Sequence, residues 1–302
     1  METCPLVSAP CPEEAVRALF GASARIESRR PVSGGCINRA RRLRLQDGTL
    51  LFLKDQAGAR ATSPPFMFAR EAEGLVALGR AAGGPRVPRP LALGADERQP
   101  FLLMEWITPG SAGVGCYEEF GRALAAMHRE TAPAFGFEHD NYIGATLQPN
   151  GWERDFTTFF GERRLGYQIT LAESRGRASR AMVRGVHRII ERLDELLAPV
   201  VTRPALLHGD LWSGNHMIDD QGRVAIIDPA VYFGAPEADL AMSEMFGRLP
   251  RQFYDAYQEV APSAPGYEER REIYNLYHAL NHLNLFGGGY AGAVTAAVQR
   301  YG

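Results

Sequence analysis

The sequence HGDLWSGN occupies residues 208–215, and the apolar run VAIID follows at residues 224–228. This region contains three oxygen-bearing side chains in a fixed order: Asp210, Asn215 and, at the end of the apolar run, Asp228. The apolar run and the tripeptide ALL before the loop each predict a short buried strand. Because side chains at the ends of two such strands can converge, we expect the three polar side chains to lie in one cleft.

An aspartate, an asparagine five positions later and a second aspartate after a strand form the pattern of a kinase catalytic loop. Phosphoryl transfer from a nucleotide needs a carboxylate to orient the attacking hydroxyl and hard oxygen ligands to hold magnesium against the phosphates. Asp210 suits the first role, and Asn215 and Asp228 suit the second. An isolated D-x-x-S-G-N is more often a plain turn, but His208, Gly209 and the spacing to Asp228 favour the catalytic loop.

The length, composition and charge of the chain argue against a membrane-spanning, secreted or nucleic-acid-binding protein. The 302 residues suit two domains or lobes, and 33 basic against 35 acidic residues give no indication of a nucleic-acid or anionic-membrane partner. No apolar run approaches the roughly 18 residues of a membrane span, and the N-terminus lacks the features of a signal peptide. The four cysteines show no metal-binding spacing. We therefore expect a cytoplasmic protein with reduced cysteines.

The order of predicted elements indicates an α+β protein with two lobes. The first hundred residues predict a small twisted sheet and one helix, with a hairpin turn at QDGT, residues 46–49. Beyond residue 109 the pattern changes to long amphipathic helices, one of them predicted over residues 154–174. We predict a bilobal, protein-kinase-like fold with an N-terminal ATP-binding lobe (1–104), a hinge (105–108) and a C-terminal catalytic and substrate lobe (109–302).

Lys54 is the only lysine of the chain and lies in the apolar strand LFLKD. A buried ammonium group needs an anionic partner or it loses its charge. The helix predicted at residues 66–80 offers Glu71 on its apolar stripe and Glu73 on the opposite, solvent side. Glu71 is therefore expected to form the lysine–glutamate ion pair that orients nucleotide phosphates. The alternative is an ordinary exposed glutamate.

The loop VSGGCIN, residues 32–38, lies between two predicted strands just before the strand of Lys54. Backbone N–H groups of Ser33, Gly34 and Gly35 could cradle phosphates there. The loop is neither G-x-G-x-x-G nor a Walker A sequence, and two glycines between strands often form only a hairpin. Cys36 in this loop is either a small packing residue or an exposed thiol capable of redox switching.

The strand FLLMEWI, residues 101–107, is the candidate hinge. The backbone N–H and C=O groups of Glu105, Trp106 and Ile107 would hold the adenine, largely regardless of side chain. An ordinary edge strand that leads into a loop would have the same sequence pattern.

Two further motifs suggest other activities and are not supported by their context. The tripeptide APE at residues 235–237 begins seven residues after Asp228, which leaves no room for a protein-kinase activation loop. His278 and His282 have the i, i+4 spacing of a zinc-binding helix, but there is no H-E-x-x-H and no evident third ligand. Packing or a substrate-pocket position is favoured for both histidines.

The chain resembles the fructosamine kinase (ketosamine 3-kinase) family over about residues 10 to 290. The motifs that carry the resemblance are LLHGDLWSGN (206–215), IIDPAVYFGAPEADLAMSEMFG (226–247), FGFEHDNYIGATLQPNGW (135–152), the FF…RLGYQ stretch (159–168) and YHALNHLNLFGGGY (277–290). The SGGCIN loop, Lys54 and the helix MFAREAEGL fit the same pattern. Trp212 in the catalytic loop separates this family from the aminoglycoside and choline kinases.

The resemblance implies a kinase that uses ATP and Mg²⁺ to phosphorylate the sugar 3-hydroxyl of a ketosamine and so initiates deglycation. It implies that Asp210 accepts the hydroxyl proton, that Trp212 stacks on the substrate and, more weakly, that His282 lines the substrate pocket. Some relatives form disulfide dimers through a cysteine at the position of Cys36. The other roles it implies agree with those above: metal binding by Asn215 and Asp228, phosphate binding by Lys54 with Glu71, and adenine binding at residues 105–107.

The expected partner is a ketosamine, either a small molecule or a glycated protein, and the chain is expected to be a monomer or a homodimer. Two alternatives remain open. One is a kinase of another hydroxylated amine, such as an aminoglycoside or choline, which Trp212 and the NYIG segment disfavour. The other is a non-catalytic nucleotide-binding pseudokinase, which typically lacks one of the residues that are present here as Lys54, Asp210 and Asp228.

Overall fold

The computed structural model describes residues 6–32, 39–56, 66–94, 100–197, 200–201 and 203–302. The described N-terminal part contains a six-stranded sheet and two helices. In chain order these elements are β1 (Val7–Ala9), α1 (Pro12–Phe20), β2 (Ile26–Pro31), β3 (Arg39–Leu45), β4 (Leu50–Asp55), α2 (Met67–Gly79), β5 (Pro90–Gly94) and β6 (Phe101–Glu105). The strand order is β1-β5-β6-β4-β3-β2, with β1 parallel to β5 and the other neighbours antiparallel.

The two faces of this sheet pack against different helices. Side chains alternate between the faces along a strand. Leu53 of β4 therefore packs in one apolar cluster with Val16 of α1, while Met104 of β6 packs in another with Leu75 of α2. Lys54 follows Leu53 and so lies on the α2 side. The alternation that buries β4 thus also directs the lysine toward α2.

The prediction of a single helix in the first hundred residues is wrong, because α1 is a second one. α1 begins with Pro12 and carries Glu13 and Glu14 in its first turn, both of which are signals of a helix start. Its nine residues bury only Ala15 and Val16. An apolar stripe of two residues is too short to stand out as a period of 3.6 in the sequence.

The rest of the chain is mostly helical, with three short two-stranded sheets. Its elements are α3 (Cys116–Met127), β7 (Asn141–Ile143), β8 (Thr146–Gln148), α4 (Phe156–Phe159), a π-helix (Phe160–Gly166), α5 (Tyr167–Ser174), α6 (Arg180–Glu191), α7 (Leu193–Leu196), β9 (Ala205–Leu207), a 3₁₀ turn (Ser213–Asn215), β10 (His216–Ile218), β11 (Val224–Ile226), β12 (Tyr232–Gly234), α8 (Pro236–Met245), α9 (Arg251–Val260), α10 (Tyr267–Phe286), a second 3₁₀ turn (Gly288–Tyr290) and α11 (Ala291–Tyr301). β10 pairs with β11, β12 with β9, and β7 with β8, all antiparallel.

The single helix expected over residues 154–174 is instead three successive segments, α4, the π-helix and α5. A π-helix has wider turns than an α-helix and so shifts which side chains face the core. Within it, Arg164 is fully buried, with its guanidinium 4.1 Å from the centre of the Tyr232 ring. The wider turn thus accompanies a buried arginine, which an amphipathic pattern does not predict.

α10 is the longest helix of the described residues and packs against α5, α8 and α11. Its buried residues include Tyr274, Leu280 and Leu283. The loop before α8 enters the helix directly at Pro236, as expected from the short APE segment. Within the described ranges, no helix combines the length and the apolar character that crossing a bilayer requires.

Candidate active site

A cleft of about 730 Å³ lies between the six-stranded sheet and the helical part of the chain. On one side it is lined by Lys54 of β4, Glu71 of α2 and the end of β6. On the other side it is lined by the loop of Asp210, the segment that follows β11, and one face of α10. The cleft therefore joins residues that lie up to about two hundred positions apart in the sequence.

Lys54 lies between two carboxylates at the inner end of this cleft. Its Nζ atom is 2.6 Å from Glu71 Oε1 and 2.6 Å from Asp228 Oδ1. The side chains of Lys54 and Glu71 are 11% and 12% exposed, while that of Asp228 is 37% exposed and faces the cleft. One ammonium group thus links the sheet, the helix α2 and the segment after β11.

The charges of this cluster depend on one another. Burial works to lower the pKa of Lys54, but Asp228 and Glu71 outweigh it and raise that pKa above the ordinary lysine value. Burial raises the pKa of Glu71 in spite of Lys54, and Asp228 adds to the increase. Lys54 therefore stays protonated, and its charge is available to an anionic ligand in the cleft.

Asp228 has an unusual backbone conformation, with φ of +55°. Non-glycine residues seldom adopt this left-handed region, and such positions recur at functional sites. Close packing holds the segment in place: a Cβ atom added to Gly74 of α2 would lie 3.0 Å from Val231 Cγ2 and 3.6 Å from Pro229 Cγ. The ion pair and this contact together fix Asp228 relative to α2.

Asp210 and Asn215 contact each other directly. Asn215 Nδ2 donates to the backbone oxygen of Asp210 at 2.8 Å and to its Oδ2 at 3.0 Å. The backbone oxygen of Asn215 accepts from Ile227 N–H at 2.9 Å, which ties this loop to the residue before Asp228. Burial raises the pKa of Asp210 to about 7, against the opposing hydrogen bond from Asn215. A carboxylate with such a pKa is suited to accept a proton near neutral pH.

Asp239 of α8 binds the backbone of the catalytic loop that carries Asp210, a role that was not predicted from the sequence. Its carboxylate accepts from the backbone N–H of His208 at 2.7 Å and of Gly209 at 2.8 Å. His128 Nε2 lies 3.2 Å from Asp239 Oδ2, and His128 Nδ1 lies 2.8 Å from the Tyr257 hydroxyl oxygen. Burial works to raise the pKa of Asp239, but the hydrogen bond and charge of His128 lower it. An aspartate between apolar residues of a helix was the sequence signal for this position.

His208 links the loop to the strand end on the other side. Its Nε2 donates to the backbone oxygen of Ile227 at 2.9 Å, and its Nδ1 accepts from Asp210 N–H at 3.3 Å. Burial lowers the pKa of His208 below the ordinary histidine value, so the ring is neutral. A neutral ring can donate from one nitrogen and accept at the other, as these two contacts require.

The predicted hinge residues lie at the edge of the cleft. The N–H of Glu105 donates to Arg89 O at 3.0 Å and is therefore occupied. Among the described residues, no hydrogen bond engages the backbone of Trp106 or Ile107. The backbone groups of these two residues therefore remain free to bind a planar ligand. Ser33, Gly34, Gly35 and Cys36 lie outside the described residues.

Trp212 and His282 line the cleft, and Phe246 packs against both of them. Trp212 packs edge-on against Phe246, with ring centres 5.7 Å apart, and Phe246 lies 4.8 Å from the ring of His282. His282 Nδ1 is bonded to the carbonyl oxygen of His278 at 2.8 Å, which holds the ring in place. Phe246 was not predicted from the sequence, and its position in the SEMFG motif is the only signal. This apolar wall is suited to the flat face of a sugar or to an amine substituent.

A buried amide network supports the segment after Asp228, and it too was missed at the sequence level. Asn141 Nδ2 donates to Val231 O at 2.7 Å, and Gln148 Nε2 donates to Ala230 O at 3.0 Å and to Asn141 Oδ1 at 2.7 Å. Tyr277 of α10 donates to Gln148 Oε1 at 2.7 Å. The NYIGATLQPN stretch thus connects α10 to the backbone beside the cleft.

The donor set in the cleft fits magnesium held jointly with phosphates. Asn215 uses its Nδ2 on Asp210, which leaves its Oδ1 for another partner, and Asp228 Oδ2 is not bound to Lys54. Mg²⁺ is commonly held by one or two such oxygens with substrate phosphates and water. In the described part of the chain, no group of three or more His, Cys, Asp or Glu side chains could hold a metal without such a substrate.

The fold is similar to those of several solved structures. An aminoglycoside phosphotransferase crystallised with AMP-PNP and hygromycin B has a TM-score of 0.60 at 17% identity, covering 95% of this chain and 98% of that one; the likeness confirms the protein-kinase-like fold. A Thermobifida fusca structure, provisionally assigned as a fructosamine-3-kinase, has a TM-score of 0.85 at 34% identity and covers 96% of this chain and 98% of that one.

Comparison of the sequence with known proteins also finds sugar-amine kinases. A chloroplastic protein-ribulosamine 3-kinase from Arabidopsis thaliana is 42% identical over 273 residues, which cover 89% of this chain and 81% of that protein. The model of the fructosamine kinase family matches residues 11–301. Nearly the whole chain, including every described residue of the cleft, lies within that match, and the protein therefore belongs to the fructosamine kinase family.

Proposed function

We propose that this protein transfers the γ-phosphoryl group of ATP to the sugar 3-hydroxyl of a ketosamine, such as a fructosamine, ribulosamine or erythrulosamine adduct. The observation that carries the proposal is the convergence of Lys54, Glu71, Asp210, Asn215 and Asp228 on one cleft. The family membership supports the same reaction.

On the nucleotide side, Lys54 binds the phosphates while Glu71 holds it in place. The protonated state of Lys54 suits this role, because a phosphate is an anion. The free backbone groups of Trp106 and Ile107 hold the adenine, with Glu105 beside them, and the hinge comprises residues 105–108. In this proposal residues 1–104 form the nucleotide-binding lobe and residues 109–302 the substrate lobe. Ser33, Gly34 and Gly35 would cover the phosphates.

Mg²⁺ would be held by Asn215 and Asp228, and when bound it supplies positive charge against the phosphate oxygens. The chain itself contributes orientation. The hydrogen bond from Asn215 fixes the carboxylate of Asp210, and the Asp239 contacts fix the backbone on which Asp210 stands.

On the acceptor side, Asp210 orients the 3-hydroxyl and takes its proton during transfer. Its raised pKa favours proton uptake by the carboxylate at the pH of a cell. Trp212 and His282 form the wall against which the sugar part lies. The wall is open at Phe286, which is 58% exposed, so the amine substituent can be a small molecule or a lysine of a glycated protein.

The test is ADP release with ribulose-lysine, erythrulose-lysine and fructose-lysine side by side, with an aminoglycoside and choline as comparison acceptors. Turnover on at least one ketosamine, lost in Asp210→Asn and on removal of Mg²⁺ with EDTA, is the expected result. If the comparison acceptors react faster than every ketosamine, the proposed substrate class is wrong. If no acceptor reacts and only nucleotide binds, the proposed catalytic activity is wrong.

A further inference from the structure

One buried polar residue of the cleft has no assigned role. Asn281 lies on the cleft-lining face of α10, immediately before His282, and is only 2% exposed. Buried amides almost always have their hydrogen bonds satisfied within the protein or by a bound molecule. Which end of the Asn281 amide faces its protein partner therefore decides what the other end can bind.

The orientation of this amide follows from a chain of three side chains. Asn284 Nδ2 lies 2.8 Å from the backbone oxygen of Gln168, and a carbonyl oxygen can only accept, so that atom of Asn284 is the donor. The same Nδ2 donates to Gln168 Oε1 at 2.8 Å. Gln168 must then present its Nε2 to Asn281 Oδ1, 3.4 Å away. The backbone carbonyl thus fixes the orientation of all three amides.

This chain leaves Asn281 Nδ2 without a protein acceptor among the described residues. The nearby Asn141 is different, because its Nδ2 donates to Val231 O and its Oδ1 accepts from Gln148 and Asn150. The protein thus satisfies the Asn141 amide, whereas the Nδ2 of Asn281 has no acceptor among the described residues. Asn281 Nδ2 is not among the described side-chain atoms that are both fully buried and unpartnered, so it is accessible from the cleft that Asn281 lines and can donate to a molecule bound there.

We propose that Asn281 Nδ2 donates a hydrogen bond to an oxygen of the acceptor sugar and so helps to determine which acceptors are used. The inference rests on the proposed function and adds a contact to the same site. Asn281 lines the same cleft as Asp210 and Trp212, where the sugar would lie. A protonated secondary amine has no free acceptor, so the amine end of the ketosamine cannot take this position. Asn281 therefore orients the oxygen-rich chain of the sugar toward α10 and its amine away from Asn281.

The test compares Asn281→Leu with the wild-type protein on ribulose-lysine and fructose-lysine. Leucine keeps the volume of the side chain and removes the donor. We expect kcat/KM for the ketosamine to fall about 10- to 100-fold, while KM for ATP stays within about twofold. Asn281→Ser, which keeps a hydroxyl donor, should recover part of the loss.

The matched control is Asn275→Leu on the same helix. Asn275 Nδ2 donates to Ala241 O at 2.9 Å, and the residue does not line the cleft, so this variant should lose stability and keep its kcat/KM. If Asn281→Leu does not fold, Asn281→Ala provides the same measurement.

Two results would overturn the inference while leaving the proposed function intact. One is an active wild type whose Asn281 variants keep kcat/KM within about threefold. The other is a KM for ATP that rises in parallel with KM for the ketosamine, since that indicates a general structural effect. A wild type that turns over no ketosamine would instead contradict the proposed function itself.

Discussion

Lys54 Nζ lies 2.6 Å from Asp228 Oδ1, and this contact joins two residues that are 174 positions apart in the sequence. The same Nζ lies 2.6 Å from Glu71 Oε1. One cation therefore balances two carboxylates at the point where the sheet, α2 and the helical part of the chain meet. The protein's own charges thus hold these three segments together at the site.

Replacing Lys54 should affect both activity and stability. In Lys54→Met the two carboxylates face each other without a cation. We expect a loss on the order of 3 kcal/mol in the free energy of unfolding and a decrease in kcat/KM of roughly 10²- to 10³-fold. Urea unfolding and ADP release measure the two effects. The double variant Lys54→Met/Glu71→Gln should recover stability but not turnover. A single variant as stable as the wild type would show that the ion pairs contribute little.

Asp210→Asn should abolish turnover and stabilise the ligand-free protein. The pKa of Asp210 is raised to about 7 in the folded state, so the folded protein holds this proton more tightly than the unfolded chain does. The resulting stability is fully present below the ordinary aspartate pKa of 3.8 and is lost as the pH rises through about 7.

An asparagine at position 210 cannot ionise, so the variant does not lose this part of its stability as the pH rises. Urea midpoints of both proteins, measured without nucleotide or metal at several pH values between about 4 and 8, provide the test. We expect the midpoint of Asp210→Asn to rise relative to the wild type as the pH increases. A constant difference across this range would contradict the raised pKa.

Asp239→Asn should destabilise the catalytic loop by disturbing the hydrogen bonds that its backbone makes to position 239. The carboxylate accepts from His208 N–H and Gly209 N–H with one oxygen each, and an asparagine would place its NH2 group, which is a donor, against one of these two N–H groups. We expect a loss on the order of 2 kcal/mol in the free energy of unfolding and a decrease in kcat of about tenfold or more.

Glu237→Gln is the matched control for Asp239→Asn. Glu237 lies on the same helix and pairs with Arg270 at 2.7 Å, with both side chains largely buried. This variant should lose stability but keep its kcat. Equal losses of kcat in the two variants would mean that the effect of Asp239 comes from general destabilisation of α8.

Gly209→Ala should disrupt the loop for a steric reason. Gly209 has φ of +80°, and an added Cβ would overlap the carbonyl oxygen of Ala230. Gly176 has a similar φ of +65° with open space around it, so Gly176→Ala measures the conformational penalty alone, about 1 kcal/mol. We expect Gly209→Ala to be clearly less stable in thermal melts and to lose turnover. Similar melting temperatures for the two variants would show that the backbone around residue 230 moves aside.

Much of the fold could be predicted from the sequence where the pattern is long and regular. The alternation in β4 and the 3.6 period of α2 predicted that Lys54 and Glu71 would face each other. The comparison with known structures confirms the protein-kinase-like fold. Short or irregular elements could not be predicted, as α1 and the π-helix show. A nine-residue helix carries too few apolar positions, and a wide turn changes the period on which the pattern depends.

By itself, the sequence determined which chemical groups the site contains and their order along the chain. Asp210, Asn215 and Asp228 follow from local spacing, because a loop between two short strands brings its own ends together. The tertiary structure alone decided which partners these groups have. Three contacts join distant segments and depend on how the helices and strands pack. They are those of Asp239 with the backbone of the loop, Asp228 with Lys54, and Gln168 with Asn281. Local patterns carry no information about such contacts, because their geometry exists only after the core has formed.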